Sequence, residues 1–145
     1  MATEADTANA PRMQWNLGGW LGTQFGGSLW MLIAGLLALP KEAVSGSIVL
    51  VLFAAVNLLG ALLWKRRAKR APHAALQILL VGLGASGAAA IFTLDRAGVW
   101  ESIQIGGRVS AVASYFVLAA VILGLLLAFH LRFGRSTEGT ETPQR

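Results

Sequence analysis

Three uncharged polar side chains, Gln24, Ser28 and Asn57, carry the main chemical interest of this sequence, because they lie within long apolar segments. An amide or hydroxyl there can order water, guide a permeating solute, or bond to another amide. Gln24 and Ser28 stand one helical turn apart. Gln24 lies about eight residues from the start of the first predicted helix, near 16, and Asn57 about seven before the end of the second, near 64. At about 1.5 Å per residue the two amides reach similar depths. A Gln24–Asn57 hydrogen bond or shared water is therefore predicted, inside one subunit or across two. As a staple such a bond is worth roughly 0.6–2 kcal/mol. Facing water, the same three residues would line a polar path.

The titratable residues are placed differently. No Asp, Glu, Lys or Arg lies deep in an apolar segment, whereas ion-coupled transporters need such a group to bind and release the driving ion. His73 and His130 mark segment boundaries and are too distant in sequence for a local metal motif, so they read as hydrated boundary residues. Cysteine is absent, which excludes disulfides, thiolate nucleophiles and Cys-based metal sites. No metal and no cofactor are expected. An enzyme is not expected either, since no nucleophile–base pair stands out. Arg96, Glu101, Arg108 and Tyr115 share one rim, but their spacing demands no reaction there.

Glycine supplies the other pattern. Gly18, Gly22 and Gly26 recur every fourth residue, and Gly19, Thr23 and Gly27 form a parallel row. Small residues at this spacing let two helix backbones approach closely in lipid. The rows therefore predict a helix-packing or oligomer interface, on a face turned away from Gln24 and Ser28. Smaller stripes occur at Gly82–Ser86, Gly84–Ala88 and Ala120–Gly124–Ala128.

The elements that must hold these residues are four stretches free of Asp, Glu, Lys and Arg: 13–40, 43–64, 71–94 and 109–131. Each exceeds the roughly 20 apolar residues that cross a bilayer core as a helix. The chain has 145 residues, 55% of them hydrophobic and only 13% charged, with a mean hydropathy of +0.61. That composition leaves no room for a separate soluble core. The predicted fold is all-α: an integral membrane four-helix transmembrane bundle over 15–132, with helices at about 16–39, 46–64, 74–94 and 109–131. A flexible tail is expected over 1–14 and a disordered one over 133–145. Trp15 and Trp20 are placed in the headgroup belt. In the 95–108 connection, Trp100, Ile103 and Ile105 are expected to lie on the membrane surface.

The net charge of +5 is concentrated, with Lys65, Arg66, Arg67, Lys69 and Arg70 in one run after the second segment. Such a collar orients helices and meets lipid headgroups, so the lipid bilayer, and no nucleic acid, is the expected partner. With that loop and both termini in the cytoplasm, nine Lys and Arg face inward and three outward. The Ala, Gly, Leu and Arg richness places the protein in a bacterial inner membrane, multi-pass.

Four helices in a chain of this length are also the plan of the small multidrug resistance transporters, which rest on a glutamate inside the first helix; 13–40 has none. The membrane glutathione and eicosanoid enzymes couple acidic and basic residues inside the second helix, and 43–64 has neither. Three uses of the chain follow. The first is a homo-oligomeric, channel-like or passive transport protein, with Gln24, Ser28 and Asn57 on the path. The second is a non-catalytic membrane subunit or assembly factor that docks a partner membrane protein through the glycine rows. A membrane enzyme ranks last.

Overall fold

The computed structural model describes residues 14–104 and 109–133. They form α1 (Leu17–Ala38), α2 (Ala43–Lys65), α3 (Pro72–Arg96) and α4 (Ala111–Phe133). All four helices are long and apolar enough to cross a membrane, as a multi-pass membrane protein requires. The expectations for residues 1–13, Ile105, Arg108 and 134–145 lie outside the described residues.

Local chemistry sets the helix limits. The Asn16 side chain accepts from Gly19 N at 3.3 Å and caps α1. Pro40, which cannot continue a helix, follows its end. The Glu42 carboxylate accepts from the N–H groups of Val44 and Ser45 and starts α2 at Ala43 rather than Gly46. Proline in the first turn has no N–H to satisfy, so α3 begins at Pro72 rather than residue 74. Beyond α3, Gly98 adopts φ +70. The reversal brings Val99 N and Trp100 N back to Leu94 O at 3.1 and 3.2 Å.

Consecutive helices pack as neighbours, and α1 also reaches α3. Met31, Val49, Val56, Leu79 and Leu94 fill the middle and are fully buried. Lipid tails are as apolar as these side chains, so fit rather than hydrophobicity holds such helices together. The fit is closest between α1 and α2. A Cβ on Gly46 would stand 2.7 Å from Leu39 N, so only glycine admits that crossing.

The fourth helix differs. It packs on α3, with Leu118 and Ile122 against Gly87 and Gly84. None of the residues in its membrane-length window is buried. It makes at most a glancing contact with α1, so the bundle stays open between α1 and α4.

The connection after α3 corrects one expectation. Trp100 and Ile103 are buried rather than spread on a surface. Trp100 Nε1 donates to Val109 O at 3.1 Å, and the Lys41 ammonium donates to Ser102 O. These bonds turn the 97–104 segment inward and tie it to the α1–α2 turn.

Candidate functional site

Gln24 and Ser28 project from the buried face of α1 toward Asn57 of α2, and the three side chains form one closed cluster. Gln24 Nε2 donates to Asn57 O at 2.9 Å and to Asn57 Oδ1 at 3.1 Å. Asn57 Nδ2 donates to Ser28 Oγ at 3.0 Å and to Phe53 O at 2.8 Å. Ser28 Oγ donates to Gln24 O at 2.8 Å. Every side-chain N–H and O–H of the trio is thus engaged. Gln24 is 4% exposed and Ser28 is fully buried, while Asn57 is half-buried. The hydrogen bond predicted between Gln24 and Asn57 is present, within a single subunit.

Sequence reading overlooked the residue that makes room for this cluster. Gln24 lies flat over Gly60, where a Cβ would meet Gln24 Cδ and Oε1 at 2.5 Å. The signal was available: Gly60 follows Asn57 by three residues, on the same side of α2.

The glycine rows of α1 occupy different surroundings. Gly18, Gly19, Gly22, Gly26 and Gly27 are exposed, and Thr23 is half-buried. A Cβ on Gly19, Gly22 or Gly26 would meet nothing within 4 Å. Gly27 alone packs inside the subunit, where a Cβ would stand 2.9 Å from Leu83 Cδ1. Thr23 Oγ1 donates to Gly19 O at 3.0 Å, which satisfies the hydroxyl on its own helix. Gly22, Thr23, Gly26 and Gly27 form one wall of the open cleft, α3 its floor and α4 its other wall. The cavity volume is about 760 Å³.

The end of the molecule that carries the basic run is built differently again. Lys65 closes α2, Arg66 caps it, Arg67–Lys69 form a 3-10 turn, and Arg70 is extended. All five cations are exposed. The Arg67 guanidinium lies 5.0 Å from the Trp64 ring centre. Trp64 in turn packs on Trp15 at 5.5 Å and on Trp20 at 6.1 Å. Trp20 is buried, and among the described residues its Nε1 is a buried donor without a partner. His73 and His130, far apart in sequence, bring their rings to 6.4 Å. Gln77 Nε2 also stands 3.2 Å from His73 Nε2.

The opposite end carries Glu42, Arg96 and Glu101. The side-chain and backbone hydrogen bonds from Ser45, helped by Val44 N–H, hold the Glu42 carboxyl below the usual carboxylate range. Arg96 lies 5.9 Å over the Phe92 ring. Among the described residues, no three His, Asp or Glu side chains gather as a metal site needs. Comparison of the chain with family models, with curated proteins and with solved structures returned no match.

Proposed function

We propose that this is a non-catalytic protein of the bacterial inner membrane that self-associates through the glycine face of α1, with its basic end in the cytoplasm. The observation that carries the reading is the exposure of Gly18, Gly19 and Gly22 on a helix whose other face is fully used in the core. Glycine in a helix interior costs about 1 kcal/mol relative to alanine. Gly22 bears that cost, and with Gly18 and Gly19 of the first turn it leaves a bare strip that fits close approach by another helix. Lys65, Arg66, Arg67, Lys69 and Arg70 then hold the assembly against anionic headgroups.

The amide cluster supports a staple rather than a passive transport path. Its donors are satisfied within the trio and by Phe53 O, and a solute could pass only if the cluster opened. Gln24→Leu is expected to lower stability and leave solute flux across reconstituted vesicles unchanged. A change in flux with intact folding would restore the channel-like reading.

The association itself is tested by Gly19→Leu. The new side chain has open space within its own subunit, so the fold is expected to persist. Sedimentation in detergent should then report a monomer where the parent chain forms an oligomer. A parent chain that is monomeric, and that co-purifies with one other membrane protein, would favour the assembly-factor role.

A further inference from the structure

We infer that the basic turn after α2 is a binding site for one phospholipid whose headgroup carries two phosphates. The inference rests on the proposed contact between the basic end and anionic headgroups, narrows it to one concavity and one occupant, and is independent of self-association.

The fold divides the cations of the basic run. Arg67 Nη1 donates to Trp64 O at 3.3 Å. Its guanidinium lies over the Trp64 ring, beside Trp15 and Trp20 of α1. Lys65, Arg66, Lys69 and Arg70 instead line one concavity of about 690 Å³, with Leu62 and Ala68. Among the described residues, these four side chains have no hydrogen-bond or ion-pair partner.

No carboxylate of the described residues is placed to neutralise them. Glu42, Asp95 and Glu101 belong to the opposite end. Glu42 and Lys65 are separated by the length of α2, about 34 Å at 1.5 Å per residue, far beyond the roughly 4 Å of an ion pair. The last carbonyls of α2 supply only about half a negative charge, and Arg66 N already bonds to Leu62 O and Leu63 O. The concavity therefore holds like charges that an external anion must balance.

Two phosphates suit this set better than one. Arginine meets a phosphate as a fork and lysine as a point charge, and the concavity offers two of each. Two phosphates joined in one headgroup also bind as a single molecule, so the second engages at high effective concentration. A cavity of about 150 Å³ already takes up benzene, so 690 Å³ admits a headgroup larger than one phosphate.

Leu62 selects a lipid over a soluble anion. It stands one turn inside α2 from Arg66, is 45% exposed, and lines the same concavity. The cationic surface thus continues directly onto an apolar one, as a headgroup continues into its acyl chains. A free phosphate gains nothing from that apolar edge.

Native mass spectrometry of the full-length protein provides the test. The protein is exchanged into mild detergent with equal amounts of cardiolipin, phosphatidylglycerol and phosphatidylcholine, all with oleoyl chains. The expected result is one retained cardiolipin per chain, about fivefold or more above phosphatidylglycerol, with phosphatidylcholine lost. Arg70→Gln should lower cardiolipin retention about fivefold. Arg67→Gln removes the same charge from outside the concavity and should lower it less than about twofold. Both positions are exposed, and an unchanged helical circular dichroism spectrum checks the fold. Equal effects of the two variants, or equal retention of cardiolipin and phosphatidylglycerol, would overturn the site and leave the general headgroup contact standing. No retained lipid, or phosphatidylcholine held as strongly as the anionic lipids, would overturn both. Displacement of cardiolipin by inorganic pyrophosphate at equal concentration would assign the concavity to a soluble anion, which also overturns the inference.

Discussion

The seam between α1 and α2 and the cleft between α1 and α4 use the same residue type for opposite ends. In the seam, glycine is what the neighbour requires: a Cβ at Gly46 or Gly60 would stand 2.5–2.7 Å from Leu39 N or from the Gln24 amide. In the cleft, Gly22 and Gly26 meet nothing within 4 Å. The same Gly-to-Ala change should therefore have opposite signs in the two places. A small-residue row in sequence thus reveals a capacity for close approach, and only the fold reveals which rows have already been used.

Gly60→Ala should give the largest effect. The added methyl displaces Gln24 and strips hydrogen bonds from a buried amide, so overpacking and lost pairing together should cost about 2–4 kcal/mol. Unfolding in a detergent mixture, followed by circular dichroism, measures it. A change below about 0.5 kcal/mol would show that the seam is looser than the distances imply.

Gln24→Leu comes next. It removes two donors and leaves Asn57 Oδ1 without its partner, at about 1–2 kcal/mol. Adding Asn57→Leu should recover part of that loss, because the second change removes the stranded amide. A double variant with fully additive losses would mean that the two amides do not act as a pair.

Gly22→Ala sharpens the contrast by its sign. In an isolated subunit, helix propensity should stabilise the variant by up to about 1 kcal/mol. The same substitution should weaken association if the glycine face is a contact. Stabilisation combined with unchanged association would remove Gly22 from the interface.

The smallest expected effect is pH dependence at Glu42. Its folded-state pKa lies below the unfolded value, because the hydrogen bonds favour the charged form. The cap's contribution is thus fully present above the unfolded carboxylate pKa, about 4.3. It is lost as pH falls through the lower, folded value. Glu42→Gln should flatten stability in that acid window and lower it slightly at neutral pH, where the charged cap contributes. An identical acid profile in both proteins would show that the cap is energetically silent.

Much of this was legible in the sequence. Charge-free length alone defines four helices, and matching depth pairs Gln24 with Asn57. Helix ends were less legible because they turn on single bonds: Glu42 draws the α2 start back to Ala43, and Pro72 opens α3. The inward turn of Trp100 was hidden, since it depends on Lys41 reaching Ser102 across 61 positions of sequence. Gly60 was missed because a lone glycine on an apolar helix carries no period. The split of the α1 glycines was equally invisible, because Gly27 is distinguished from Gly26 only by the position of Leu83.

The absence of native cysteine makes disulfide scanning the most direct test of the central claim, that the glycine face of α1 is a contact between copies. Single substitutions Gly19→Cys and Gly22→Cys, with Val51→Cys on the exposed side of α2 as control, would be oxidised in native membranes. The account predicts dimers of twice the chain mass at positions 19 and 22 and none at 51. Dimers at all three positions in equal yield, or at 51 alone, would contradict it.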